Sequence, residues 1–113
     1  MFNVRNSNTA KLRNAKIKNY YPALNFLISK GYFIINVSDK NLKLSKKNCY
    51  VNLRKFEKFE YYQIKLLSIC NLYLGTGGGP SHLFSLLNKK MLIIDQYPYF
   101  GFSWNTNEKK LFK

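Results

Sequence analysis

The stretch NLYLGTGGGPSHLFSLLNKKMLIID, residues 71–95, decides how the rest of the chain is read. LYLG (72–75) is a short apolar run that stops at glycine. After Thr76 come three successive glycines, Gly77, Gly78 and Gly79, and then Pro80, Ser81 and His82. A second apolar run, MLIID (91–95), ends the stretch. Apolar runs of this length bounded by turn residues read as buried strands, and Pro80 suits a first helical turn, where a missing N–H costs nothing. The spacing therefore predicts a strand over 72–75, a helix over 80–88 and a strand over 91–95. The glycine loop between the first two either cradles an anion or simply lets strand and helix pack tightly.

Working outward, the same alternation recurs. FNVR (2–5) reads as a strand and NSNTAKLRN as a polar loop. Apolar positions 17, 20, 21, 24, 27 and 28 form a helical stripe that stops before Gly31; Pro22 places the regular helix from about Tyr20 or Tyr21. YFIINV (32–37) is a strand of the kind covered on both faces. Residues 38–48 are a polar connection, 49–53 a short strand, and 60–70 a second helix with apolar residues at 61, 64 and 67. Strands alternating with helices imply an α/β fold, a Rossmann-like parallel sheet with helices on both faces. One domain is expected over residues 1–96, followed by an aromatic and basic tail, 97–113, without clear periodicity.

Composition narrows the partners. A formal charge of +14 on 113 residues invites a polyanion. Only Arg5, Arg13 and Arg54 among the nineteen cationic residues are arginines, however, and the lysines are scattered. Lys, Asn, Ile, Tyr and Phe also have A- and T-rich codons, so base composition accounts for part of the charge. A nucleic-acid partner therefore ranks below a small anionic ligand. Cys49, Cys70 and the single His82 lack metal-ligand spacing, so neither a metal nor a cofactor is expected. Without an apolar signal core or a 20-residue apolar run, a cytoplasmic location is expected, with weak association to an anionic membrane surface at the inner face.

The carboxyl ends of parallel strands form one rim, where ligands of such sheets bind. Arg5, Ser38, Asp39 and the 75–82 loop all follow predicted strands and are expected along it. Backbone amides of Gly77, Gly78 and Gly79, the free amides of Ser81 and His82, and the hydroxyls of Thr76 and Ser81 would face a phosphate there, with His82 and Arg5 as further donors. Asp39 suits a ribose hydroxyl or a turn, the turn being the simpler reading. Arg13 and Asn14 join the site only if the 6–16 loop folds over the rim. No Lys-Ser/Thr pair follows the glycines, so this is not a P-loop, and no spacing identifies a catalytic base.

Val4-Arg5, the stretch RNAKIKNYYPALNFLISKGYFIINVSD (13–39) and LGTGGGPSHL (74–83) together resemble a family of bacterial glycosyltransferases from surface-polysaccharide clusters. The loop is also similar to the heptosyltransferase-type motif Asp-Thr-Gly-Pro-x-His. Gly79, Pro80 and His82 match it, and Gly77 stands where the Asp would be. Ser38 replaces a glycine before Asp39, and Asn36 an arginine, of the first family's pattern.

The resemblance implies the C-terminal, nucleotide-sugar-binding half of a GT-B enzyme. Arg5, Thr76, Gly77, Gly78, Gly79, Ser81 and His82 would hold the donor, and a glycan or lipid-linked acceptor would receive the sugar. At this length an N-terminal half or a split-enzyme partner is expected to complete the enzyme. The alternatives are a non-catalytic nucleotide- or partner-binding module of the same fold, and a basic nucleic-acid-associated protein.

Overall fold

The computed structural model describes residues 1–8, 11, 14–96 and 108–112, with Gln96 and residues 108–112 described by their backbone alone. The strands are β1 (Phe2–Asn3), β2 (Ile34–Asn36), β3 (Tyr50–Asn52), β4 (Leu72–Gly75), β5 (Lys90–Gln96) and β6 (Glu108–Phe112). The helices are α1 (Tyr21–Ser29), entered through a 3₁₀ turn at Ile17–Tyr20, α2 (Phe59–Leu67) and α3 (Gly79–Leu86). Every element expected from the sequence is present, β1 and β2 in shorter forms: β2 covers only 34–36 of the expected 32–37, Tyr32 and Phe33 being exposed before it. The tail contributes one strand that its pattern did not announce, β6, while 97–107 and Lys113 lie outside the described residues.

The strands form one sheet in the order β3-β2-β1-β4-β5-β6, and every pair is parallel. This is the doubly wound, Rossmann-like order, in which the chain builds one half outward from β1 and then returns to build the other from β4. Right-handed crossovers then require the helices of the two halves to lie on opposite faces. The core obeys this. Leu24 and Ile28 of α1 pack with Phe2, Val4, Ile34 and Leu74 on one face, together with Leu42 and Leu44 of the β2–β3 connection. Leu67 of α2 and Phe84 of α3 pack with Tyr73, Met91 and Ile93 on the other. Alternate residues of β4 and β5 thus serve opposite cores, which is why both strands read as nearly continuous apolar runs.

Local chemistry fixes the ends. Gly31, at φ +84°, closes α1, with the Gly31 N–H bonded to the Ile28 carbonyl and the Tyr32 N–H to that of Leu27 (both 3.0 Å). This is the paired hydrogen-bond closure that a left-handed residue permits and a Cβ penalises. Beyond β2, the buried Asn36 side chain donates to the Lys40 carbonyl (2.9 Å) and to Asn52 Oδ1 (2.7 Å). Asn52 Oδ1 also accepts from the Leu42 N–H (2.8 Å), so two buried amides define the connection between β2 and β3.

Because the order reverses between β1 and β4, the loops leaving these adjacent strands diverge to opposite faces. In doubly wound sheets ligands bind at such a switch point, at the carboxyl edge. Arg5 leaves β1 there, and the glycine loop leaves β4.

Candidate functional site

Contact between β1 and β4 begins with the absence of a side chain. Gly75 has φ +152°, and a Cβ built on it would lie 1.8 Å from the Asn3 carbonyl oxygen. That same carbonyl accepts the Thr76 N–H at 2.9 Å. Only glycine allows the two backbones to approach this closely while β4 turns away toward α3.

Beneath the loop lies a floor of satisfied polar groups. The buried Tyr73 hydroxyl donates to the Thr76 carbonyl (2.6 Å), and Asn3 Nδ2 donates to Tyr73 (3.4 Å). Burial pushes the Tyr73 phenol far above its usual value near 10, against the smaller opposing effect of hydrogen bonds with Asn3 and Ser81. It therefore remains a donor at any ordinary pH. Thr76 Oγ1 accepts the Arg5 N–H at 2.8 Å and ties the two loops together. Ser81 Oγ accepts from the Gly78 N–H (2.9 Å) and donates to the Gly78 carbonyl (2.8 Å), latching the loop to the first turn of α3. Thr76 and Ser81 are only 1% and 2% exposed. Both hydroxyls are spent on the loop's own shape, not presented at its surface.

Above this floor the loop offers other groups. α3 starts at Gly79, so Pro80 occupies its second position and the His82 N–H already bonds the Gly78 carbonyl (3.1 Å). This corrects the expectation of a free His82 amide: the helix begins one residue earlier than Pro80 suggested. The Gly79 and Ser81 N–H groups are those that helix geometry leaves without an acceptor, at the positive end of the dipole. Gly77 and Gly78 are half-buried, Gly79 is exposed, and the His82 side chain is exposed.

Arg5 follows β1, its backbone N–H bonded to Thr76 of the loop. Its side chain is half-buried, and its Nε is fully buried with no hydrogen-bond partner among the described residues. A buried guanidinium N–H without an acceptor costs about 1–3 kcal/mol, a cost that an anion arriving at the switch point would relieve.

Asn14 closes the loop after β1, accepting the Ser7 N–H (2.7 Å) and donating to the Ser7 carbonyl (2.8 Å), and the Ala15 N–H returns to the Arg5 carbonyl (3.3 Å). Asn14 thus shapes the loop beside Arg5; Arg13 lies outside the described residues. Ser38 Oγ accepts the Val4 N–H (2.8 Å) and is buried. Asp39 lies in the bend after β2, where its carboxylate pairs with Arg54 at 3.0 Å across an exposed surface. Arg54 also donates from Nε to the Val37 carbonyl (3.2 Å) and lies over the Phe59 ring at 4.5 Å.

Sequence reasoning missed one feature of the rim. Asp95 has φ +57°, at an irregularity in β5–β6 pairing between Ile94 and Gln96. The Tyr20 hydroxyl donates to Asp95 Oδ2 (3.3 Å) and to the Ile94 carbonyl (3.5 Å). Burial, and then the Asp95 charge, hold the Tyr20 phenol protonated far above its usual value. The only signal in the sequence was a charged residue ending an apolar strand.

Comparison with protein-family models, with curated proteins and with solved structures finds no match. Among the described residues, no three His, Cys, Asp or Glu side chains cluster as a metal site, and no helix is long and apolar enough to cross a membrane.

Proposed function

We propose that this domain binds the diphosphate of a nucleotide sugar at the switch point between β1 and β4, as the donor-binding half of a glycosyltransferase. The observation that carries the reading is the buried Nε of Arg5, without a partner among the described residues and tethered through its own backbone to the loop at Thr76. A guanidinium whose Nε has no acceptor among the described residues, on the strand paired with the one that leads into α3, is complementary to a phosphate. The sugar-nucleotide identity rests on the resemblance of residues 4–39 and 74–83, and the acceptor, glycan or lipid-linked, on that resemblance alone.

The chemistry follows from charge. Transfer leaves a nucleoside diphosphate, whose developing negative charge Arg5 and the amides of Gly79 and Ser81 would stabilise without a metal. Because Tyr73, Thr76 and Ser81 fix the loop from below, those amides need little reorganisation when the anion arrives. His82 adds an exposed donor on the first turn of α3.

Thermal-shift measurements with UDP, GDP, CDP and ADP and their sugar conjugates test the proposal. A rise in Tm with one nucleotide, lost in Arg5→Ala, is the expected result. Absence of any rise, with salt-sensitive binding of single-stranded nucleic acid instead, would replace it with the nucleic-acid reading. Nucleotide binding without sugar transfer or donor hydrolysis would identify a non-catalytic module, a reading favoured by Gly77 standing where the similar motif has an acid.

A further inference from the structure

The edge of the sheet opposite the proposed donor site has a character of its own. In a wholly parallel sheet every strand begins at one edge, and the crossover helices end there. Ile34, Tyr50, Leu72 and Lys90 open their strands at this amino edge, and α1, α2 and α3 finish beside it at Ser29, Leu67 and Leu86. Large apolar side chains stand in water there: Phe33 (55% exposed), Ile69 (69%) and Leu86 (64%), with Tyr32 and Leu87. Three of them gather in one place, because Tyr32, Phe33 and Ile69 line, together with Lys30, a cavity of about 540 Å³ walled by Leu27 and Leu72.

Charge is divided unevenly between the two edges. The chain has five acids. Asp39 follows β2, Asp95 lies at the end of β5, and Glu57 and Glu60 flank the start of α2, so these four belong to the carboxyl edge. The amino edge has Glu108, at the start of β6, against Lys30, Lys46, Lys47, Lys89 and Lys90. The helix dipole accounts for two of these lysines: Lys30 directly follows α1, and Lys89 Nζ donates to the Ser68 and Cys70 carbonyls at the end of α2. It does not account for Lys46 and Lys47, before β3, or for Lys90, the first residue of β5; all three are exposed and stand at no helix C-terminus.

Exposed aromatic and aliphatic side chains set among lysines match the interface of a bilayer, where apolar groups sink below the headgroups and lysines meet anionic lipid. We infer that the amino edge is a docking surface for an anionic lipid bilayer. Tyr32, Phe33 and Ile69 enter the headgroup region, and Lys30, Lys46, Lys47 and Lys90 face its phosphates. A second copy of the chain fits this edge less well, because a symmetric contact sets the lysines against their own counterparts. A single-stranded nucleic acid would use the rings and the charge but leave Ile69 and Leu86 without a role. The surface lies across the sheet from Arg5 and does not depend on the nucleotide reading.

Flotation of the full chain with phosphatidylglycerol-containing vesicles and with pure phosphatidylcholine vesicles tests this. Binding is expected to the anionic vesicles alone, and it should weaken as salt is raised. Lys46→Gln combined with Lys47→Gln should weaken it roughly twentyfold, at about fivefold for each lysine. Phe33→Ser combined with Ile69→Ser should weaken it about tenfold or more, and the fold should be kept because both side chains already stand in water. Lys16→Gln combined with Lys18→Gln removes the same charge from exposed positions at the entrance to α1, on the carboxyl edge, and should change binding by less than about twofold. Equal losses in the two lysine pairs would mean adsorption by net charge with no preferred face, and would overturn the assignment. So would a parent protein that leaves anionic vesicles unbound. Binding of single-stranded RNA, or a dimer in sedimentation, that is lost in Phe33→Ser with Ile69→Ser while vesicle binding persists would give this edge to that partner and overturn the bilayer assignment.

Discussion

Gly75 and Asn3 occupy positions that no side chain can separate: a Cβ on the first would sit 1.8 Å from the carbonyl oxygen of the second. The contact joins the two strands at which the sheet reverses its winding, so relief by moving either strand would part the two halves of the sheet. Gly75→Ala should therefore unfold the protein or lower its stability by more than about 3 kcal/mol, a fall in Tm of roughly 10 °C or more. Gly79→Ala is the internal control. Its Cβ would meet nothing within 4 Å, and alanine favours the first turn of α3, so Tm should hold or rise slightly. Differential scanning calorimetry of the two variants separates them, and comparable losses in both would contradict this account of Gly75.

Arg5 should show the opposite signature. On the proposed reading Arg5 burdens the empty fold, because its buried Nε has no acceptor among the described residues. Arg5→Met, which retains the aliphatic stem and removes the orphaned donor, should leave Tm unchanged or raise it by about 1 kcal/mol of stability. It should also abolish the stabilisation given by pyrophosphate. Chemical denaturation with and without pyrophosphate reads both effects; a variant that is less stable yet still responds to pyrophosphate would make Arg5 structural.

The parts of the fold that were legible in sequence are those whose chemistry is local. The IINV part of YFIINV, LYLG and MLII announce doubly covered strands because both faces of each pack against a core, and Gly31 marks a helix end because its backbone angle disfavours a side chain. Glu108–Phe112, EKKLF, gave no such signal, since its three charges obscure the alternation expected of a strand; it is the last in the sheet order and pairs with β5 alone. At the site, glycines and a strand-end arginine were visible as types. What Thr76 and Ser81 do with their hydroxyls was not, because a hydroxyl that braces a loop and one that binds a phosphate look identical in a sequence. Tyr20 and Asp95 meet across 75 positions, and only the topology brings them together.

The Asn36–Asn52 pair invites a test of the connection between β2 and β3. Asn52 Oδ1 accepts from both Asn36 and the Leu42 N–H, so its removal strands two buried donors. Asn52→Ala should cost about 2–4 kcal/mol, at one to two per orphaned group, while Asp39→Asn, which breaks only an exposed pair, should cost less than about 1 kcal/mol. Urea denaturation resolves the two. A loss at Asp39 exceeding that at Asn52 would mean that the surface pair, and not the buried amides, holds the connection.

Alkaline behaviour follows from the two buried phenols. Tyr20 and Tyr73 are both held above their ordinary value of 10, chiefly by burial, so the folded state keeps protons that the unfolded state releases. Below pH 10 both states are neutral at these positions and the phenols contribute no pH dependence. Above it the unfolded chain binds fewer protons than the folded one, so stability falls with rising pH. The slope is about 1.4 kcal/mol per pH unit for each tyrosine until its folded-state value is reached. Urea unfolding followed between pH 9 and 11 should show a decline that begins near pH 10 and is shallower by one tyrosine's share in Tyr20→Phe. Tyr73→Phe should show the same shallower slope on a lower baseline, because it also removes the donor to the Thr76 carbonyl, at about 1–3 kcal/mol. A slope identical in parent and both variants would mean that neither phenol is shielded from water in the native state.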